Sequence, residues 1–471
     1  MVQLRYRQRN LGEVFFAQEA SSLMEAWMKE VDGILEDEQL LDQVYERLRR
    51  RWPQSGQRGR KATPAEVVLR LMVLRHLRNW SFAVLEREVR ANLVYRMFTR
   101  IGTEKVPDAK TLARLGQALG SKIIEQIHAR LVEIACQRHL VQGRKMRLDT
   151  TVTEANIHYP TDSSLLGDGA RVLTRIMKKI SDLVGERGTK LRDRLRTVGH
   201  RVMEIARISR SKGAEQKERM QEKYRELIRV TRQVRNQAQK FSEEIQSGIK
   251  RANETKTRAV LRGLQQELDA MIPLVDQVVR QTRARVFRGI TDLPGKIVSL
   301  FEPATEIIRK GKASKPTEFG KMVKIQEAEN QIITHYEVYG RRPLDAALLL
   351  PAVAVHRKRL GRVPELVAGD AGFYSQRNER QAQRMGVKRV SIPNRSSKSV
   401  TRRAHQKKRW FRKGQKWRTG CEGRISVLKR RHGLNRCRYK GDDGMERWVG
   451  MAVIADTLIN MGRVLASRQR G

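Results

Sequence analysis

The sequence predicts an α/β protein: a mixed β-sheet flanked by helices, with a helical segment before it and a long helical insertion inside it. Three observations predict this. Short strand-like runs near 145–153, 322–338, 366–368 and 390–392 alternate with helical stretches, the order expected of a mixed sheet covered by helices. Residues before 135 carry helix-start signals followed by apolar residues at helical spacing. Residues 165–315 are polar, almost free of aromatics, and repeat their apolar positions every 3.5 residues. The expected divisions are a helical N-terminal domain over 1–135, a sheet domain over 140–164 and 316–465, and a helical insertion over 165–315.

In order along the chain, residues 19–51 read as helical and Trp52–Arg60 as a basic linker. At Thr63-Pro64-Ala65-Glu66, Thr63 suits an N-cap, Pro64 the first helical position, and Glu66 the return arm of a capping box. Val67, Leu71 and Leu74 follow at helical spacing. A second helix follows Ser81, through Leu85, Val89 and Leu93. A third starts at Asp108 and runs through Leu112, Leu115 and Leu119. Short Arg-rich helices with short turns suit a helix-turn-helix-like DNA-binding segment; a supporting bundle is the plainer alternative.

Met146, Leu148 and Thr150–Thr153 favour a strand with Asp149 inside it. In the insertion, Leu227, Thr231, Val234, Ala238, Phe241, Ile245, Gly248 and Ala252 step by four and three. Leu261, Leu264, Leu268, Met271, Val275, Val278 and Thr282 do the same. This predicts an antiparallel coiled-coil hairpin turning between Ala252 and Thr257, whose basic faces either lie on DNA or are simply solvated. Strands return at Met322–Ile325 and Ile332–Val338, with Asn330 near the turn. Pro351 opens a helix ending near Gly361. Leu366–Ala368 is a buried strand that ends at Gly369-Asp370. Ser375 caps a helix that stops at Gly386, and Val390–Ile392 closes the sheet.

The 471 residues carry a net charge of +46, and 31 % are charged. So large an excess repels itself unless a polyanion is near. No apolar run approaches the roughly 20 residues that span a bilayer; the longest noted, Ala346–Val355, is broken by Pro351. The first residues lack a secretory apolar block. Nucleic acid is the expected partner, with no membrane, in a cytoplasmic setting. Three cysteines cannot make a disulfide framework, and Cys421, His432 and Cys437 lack the C-x-x-C pair that zinc sites favour.

Asp149 and Asp370 are carboxylates beside apolar strand residues, where an unpaired charge is expensive. Each alone reads as readily as a turn or cap. Glu422 is the only acid between Arg395 and Lys440, among eighteen Lys and Arg residues. It is either a salt-bridge partner or a metal ligand placed where a phosphate backbone passes. Three carboxylates offer hard oxygens to two magnesium ions, the arrangement that drives in-line phosphoryl displacement.

Gln415-Lys-Trp-Arg418-Thr-Gly-Cys-Glu422-Gly-Arg-Ile-Ser-Val-Leu-Lys429 resembles the Tyr-x2-Arg-x3-Glu-x6-Lys signature of bacterial insertion-sequence DDE transposases. Gln415 departs from the usual Tyr. Leu148-Asp149-Thr-Thr-Val and Val367-Ala-Gly-Asp370-Ala-Gly-Phe-Tyr resemble the two aspartate motifs. Residues 63–120 and His158–Leu166 are similar to further segments of the same transposases, so the likeness covers roughly 60–165 and 320–465.

The resemblance implies an RNase H-like catalytic domain. Asp149, Asp370 and Glu422 would be catalytic and hold two Mg2+ ions, for which Mn2+ can substitute. Arg418 and Lys429 would contact phosphates, and Trp417 would stack on an unpaired base or else sit in the core. Asn394 and Arg395 are weaker candidates for backbone contacts. Asp162, in a turn-like context, is the rival for the first carboxylate. The implied activity is metal-dependent cleavage at element ends followed by 3′-OH strand transfer into target DNA, by a homodimer or higher oligomer in the bacterial nucleoid. The alternatives are an RNase H-like nuclease without joining, or a non-catalytic DNA-binding descendant of a transposase.

Overall fold

A computed structural model describes residues 2–6, 20–51, 54, 62–185, 187–211, 215–309 and 316–469. The expected linker at Trp52–Arg60 lies, but for one residue, outside the described residues. The chain divides into two compact units, one of residues 1–156 with 308–471 and one of residues 157–307. The helical N-terminal segment and the sheet therefore share a unit, and the insertion is a unit of its own, opening and closing eight residues earlier than the sequence suggests.

In the first unit, helices α1 (Ala26–Ile34), α2 (Glu38–Arg49), α3 (Ala65–Leu77), α4 (Phe82–Ala91), α5 (Leu93–Phe98) and α6 (Ala109–Gln137) precede the sheet. Ser81 and Asp108 cap α4 and α6 as their sequence context predicts, accepting from the N–H of Val84 at 3.1 Å and of Thr111 at 2.9 Å. The capping box at α3 does not form. Pro64 occupies the N-cap position without a side-chain cap, and Glu66 is drawn to Arg70, whose Nε lies 3.0 Å from its Oε1. Every residue of α3 is buried, Arg70, Arg75 and His76 included. A buried guanidinium must be matched, and Arg70 also meets Asp32 at 2.6 Å. This helix is a core element and offers no face to a groove of DNA.

The sheet comprises β1 (Lys145–Glu154), β2 (Glu306–Arg309), β3 (Thr317–Glu327), β4 (Ile333–Tyr339), β5 (Leu366–Ala368) and β6 (Arg389–Ser391). Its order is β2-β3-β1-β5-β6, with β4 also paired to β3. β1 runs antiparallel to β3 and parallel to β5, and β5 is parallel to β6. The sheet is thus mixed, as predicted; β2 is a strand without a sequence signal. α11 (Leu349–Leu360) starts two residues before Pro351 and ends at Gly361, whose φ of 70° favours glycine. α12 (Gln376–Arg384) begins at Ser375, whose hydroxyl accepts from the N–H of Asn378 at 3.4 Å. On one sheet face, Met146, Leu148, Val152, Val367 and Val390 pack with Val353 of α11 and Ala382 of α12. On the other, Val323, Ile325 and Ile333 pack with Leu428 of α14 (Arg409–Arg431) and Trp448 of α15 (Gly441–Arg468). A short α13 (Val400–Lys407) leads into α14.

α15 corrects the sequence reading of apolar runs. It is long and apolar enough to cross a membrane by length and composition, but most of that window is buried inside the unit. Its residues Met451, Ile454, Leu458 and Met461 join the core of α1–α6, while Trp448 joins the core under the sheet. A helix packed on several sides has little amphipathic signature. Trp448 alone removes about 200 Å² from water, worth roughly 5 kcal/mol.

In the second unit, α7 (Asp162–Val184), α8 (Leu195–Ile208), α9 (Gln216–Gln246) and α10 (Thr255–Arg288) share one apolar core. The Gln221 amide to the Val286 carbonyl, Arg235 to Asp276 and Ser242 to Asp269 run in opposite directions along α9 and α10, which makes them an antiparallel hairpin. Leu227, Val234, Phe241, Leu268, Val275 and Val278 are all buried, but α7 and α8 line the same seam. The turn falls at 247–254, where Gly248 adopts φ of 76°, so Gly248 and Ala252 leave the heptad.

Candidate active site

The period of two along β1 sends Met146, Leu148 and Val152 into the core beneath α11 and α12, and Arg147 and Asp149 toward α14. β5 pairs with β1 up to Arg147 and Ala368. Asp149 and Asp370 each lie two residues beyond that last pair, at the carboxyl end of β5, where ligands of open sheets gather. Asp370 is half-buried, and its Oδ1 accepts from the N–H of Gly372 at 2.9 Å. At position 372 an added Cβ would press on two carboxylates, 3.2 Å from Asp370 Oδ1 and 3.2 Å from Asp345 Oδ2.

α14 is held close to the sheet by two adjacent residues. At Gly414 a Cβ would fall 2.7 Å from Ser391 Cβ, so only glycine lets the helix lie on β6 at this distance. Gln415 Nε2 donates to the carbonyls of Gly369 and Ser391 and, at 3.2 Å, to Ser391 Oγ. It therefore ties the ends of β5 and β6, one residue from Asp370, to the helix that carries Glu422. Two residues later, the Arg147 guanidinium bonds the Trp417 carbonyl and the Glu327 carboxylate, and covers the Trp417 ring at 4.8 Å from its centre. Arg147 and Glu327 are both buried.

Arg418 is buried between two acids: its Nη2 lies 2.7 Å from Glu422 Oε1 and its Nη1 3.8 Å from Asp149 Oδ2. Burial pushes the Asp149 carboxyl up from its usual value to about 6. The charges of Asp370 and Glu422 push the same way; the Thr150 N–H, 2.8 Å from Asp149 Oδ1, and Arg418 oppose them. Asp370 and Glu422 are thus each within electrostatic reach of Asp149, and like charge there disfavours its ionisation.

Of the other residues singled out in the sequence, Trp417 is half-buried under Arg147. Lys429 follows Glu422 by seven residues on α14, about 10 Å along the axis. Asn394 and Arg395 line a cleft of about 310 Å³ with Arg403, Arg412 and Gln415. Asp162 belongs to the insertion unit, where it begins α7 and pairs with Arg285 at 3.0 Å. Sequence reasoning missed Arg147 and Glu327 and noted Gln415 only as a departure. It also missed Asp345, which accepts from Thr150 Oγ1 at 3.1 Å. The only signal for Arg147 was its period-two alternation with Asp149.

The donor chemistry of Asp149, Asp370 and Glu422 suits a hard divalent cation. Among the described residues, however, no group of three His, Cys, Asp or Glu side chains is close enough to hold a metal ion in the present rotamers. The exposed Glu422 carboxylate is turned onto Arg418, and Asp370 caps the Ala371–Phe373 turn. A cation entering the cluster has to compete with both contacts.

Two family models match the chain: a transposase domain (DUF772) over residues 24–117 and a transposase DDE domain over residues 376–464. The second covers Arg418, Glu422 and Lys429 and starts just past Asp370. No curated protein and no solved structure matches the chain. The helices before the sheet and the helices after β5 thus each match a transposase, and together they support an insertion-sequence DDE transposase.

Proposed function

From two transposase matches on one chain, we propose that this protein cuts DNA at the ends of an insertion sequence and transfers the freed 3′-OH to target DNA. The observation that carries the proposal is Arg418 lying between Glu422 and the buried Asp149, whose carboxyl also feels the charge of Asp370, at the carboxyl end of β5. Asp149, Asp370 and Glu422 would hold two Mg2+ ions, which supply activation of the attacking oxygen and stabilisation of the leaving oxygen.

The chain's own residues do the rest. Arg418 partly neutralises the carboxylates while the site is empty of substrate. Its guanidinium, facing both acids, would also be placed to meet a phosphate brought to the site. Lys429 stands two turns further along the same helix, where the DNA backbone would pass. Gln415 and Arg147 hold α14 on the strand ends, so that Glu422 and the two aspartates keep their separation. The mixed sheet is in keeping with the RNase H-like reading, and the excess of Lys and Arg supplies sequence-blind affinity for DNA. Two ends have to be joined, so a dimer or higher oligomer is part of the proposal.

The test uses duplexes carrying the DNA termini that flank the gene, offered both intact and with pre-cut 3′ ends, in Mg2+. The wild type is expected to nick the first and to join the second to plasmid DNA, with Asp370→Ala inactive on both. Nicking without joining would reduce the function to that of a nuclease, and cutting by Asp370→Ala would remove the carboxylate assignment.

A further inference from the structure

Asp149, Asp370 and Glu422 all belong to the first unit, and the insertion unit carries its own concentration of charge. A cleft of about 1140 Å³ runs between α9 and α10. Arg225, Arg229 and Arg232 enter it from α9, and Arg280, Arg283 and Arg288 from α10. No acidic residue lines it. The spacing 225, 229, 232 keeps one face of a helix, as does 280, 283 on the other.

Three acids of these two helices are paired with other cations, and Asp269 and Asp276 line an adjoining cleft that Arg232 and Arg280 also reach. Glu226 pairs with Arg201 and Lys223, Glu244 with Lys250 at 3.4 Å, and Asp276 with Arg235 at 2.9 Å. Arg229, Arg232, Arg280 and Arg283 are exposed and have no carboxylate partner among the described residues. Six like charges facing one cleft repel one another, a cost that a bound polyanion removes.

We propose that this cleft is a binding site for the phosphate backbone of duplex DNA. Arg225 to Arg232 spans about 10 Å of helix at 1.5 Å per residue. Four consecutive phosphates of one DNA strand span a similar length along the duplex axis, at about 3.4 Å per step. Arginine's forked donors match phosphate oxygens in pairs, and Gln233, Asn236 and Gln277 add neutral donors along the same walls. The proposed contact is to the phosphate backbone, so it adds affinity and register and places DNA on the insertion.

The test reads binding by the full chain, not cleavage, so its outcome does not depend on the transposase reading. Fluorescence anisotropy with a random-sequence duplex, titrated from low to high salt, compares four proteins. They are the wild type, Arg229→Ala/Arg232→Ala/Arg280→Ala/Arg283→Ala, the same four positions changed to Lys, and Arg207→Ala/Arg210→Ala/Arg258→Ala/Arg262→Ala. The last removes the same charge elsewhere in the insertion.

The groove Ala set is expected to lower the slope of log K against log salt by about three to four, at roughly 0.9 per phosphate contact. The Lys set keeps most of the slope, and the control set loses about one or less. In the wild type, duplex DNA should also protect Arg229, Arg232, Arg280 and Arg283 from phenylglyoxal, read by mass spectrometry, which covers the case of a misfolded variant. Equal losses in the groove and control sets, or no protection, would overturn the proposal. So would groove-dependent binding of RNA or phosphatidylserine vesicles in preference to duplex DNA.

Discussion

Replacing Asp149 by Asn should make the metal-free protein more stable while abolishing its chemistry. Asp149 is 9 % exposed, and its carboxyl titrates near 6 in the folded chain against 3.8 in the unfolded one. The folded state therefore holds its proton more tightly, and stability falls as pH rises from about 4 through 6. At pH 8 the difference of roughly two units amounts to about 3 kcal/mol, and at pH 5 roughly half of that applies. Asn cannot ionise, and its Oδ1 can still accept from the Thr150 N–H. Urea unfolding in EDTA at pH 5 and pH 8 measures the gap. All six tryptophans lie outside residues 157–307, so intrinsic fluorescence follows the unit that holds the site. The variant should exceed the wild type by about 3 kcal/mol at pH 8 and by about 1.5 kcal/mol at pH 5. A variant that is less stable at both, or a gap that does not grow with pH, refutes the argument that burial and crowding raise this carboxyl.

Three further outcomes follow from the same geometry. Glu327→Ala strands the buried Arg147 guanidinium and should cost about 3–5 kcal/mol by urea unfolding. Gln415→Ala removes the bonds that tie α14 to the carbonyls of Gly369 and Ser391. It should lower the cleavage rate about tenfold, as loss of positioning does, and leave the anisotropy-measured affinity for DNA unchanged. Gly414→Val places side-chain atoms where Ser391 already sits and should lift the helix, reducing cleavage more than Gln415→Ala does in the same assay.

The local grammar of the chain was legible where the cause was local. Ser81, Asp108 and Ser375 cap helices because short polar side chains reach N–H groups three residues on. The sheet strands at 145–154 and 366–368, with an aspartate in or just past each, could be read from their apolar runs. Glu422 stood out as the lone acid in a basic stretch, and the structure sets it beside Arg418, which also faces Asp149. What escaped depends on distant partners. Arg147 and Glu327 are 180 residues apart, and nothing near either one announces the pair. Glu66 fitted a capping box by type and spacing, but a buried Arg70 outcompeted the backbone for it. The apolar character of α15 and the full burial of α3 come from being enclosed, which flattens the periodicity that sequence reading relies on. The hairpin turn shifted because Gly248 tolerates a positive φ that ends α9 early.

The central claim is that Asp149, Asp370 and Glu422 form one metal-dependent phosphoryl-transfer site. The most direct test is an end-labelled duplex carrying the gene's flanking termini, incubated with wild type and Glu422→Gln in Mg2+, in Mn2+ and in EDTA. The account predicts nicking at the terminus by the wild type in either metal, none in EDTA, and none by Glu422→Gln although it binds the duplex as tightly. Nicking that survives EDTA or the Glu422→Gln change would contradict it.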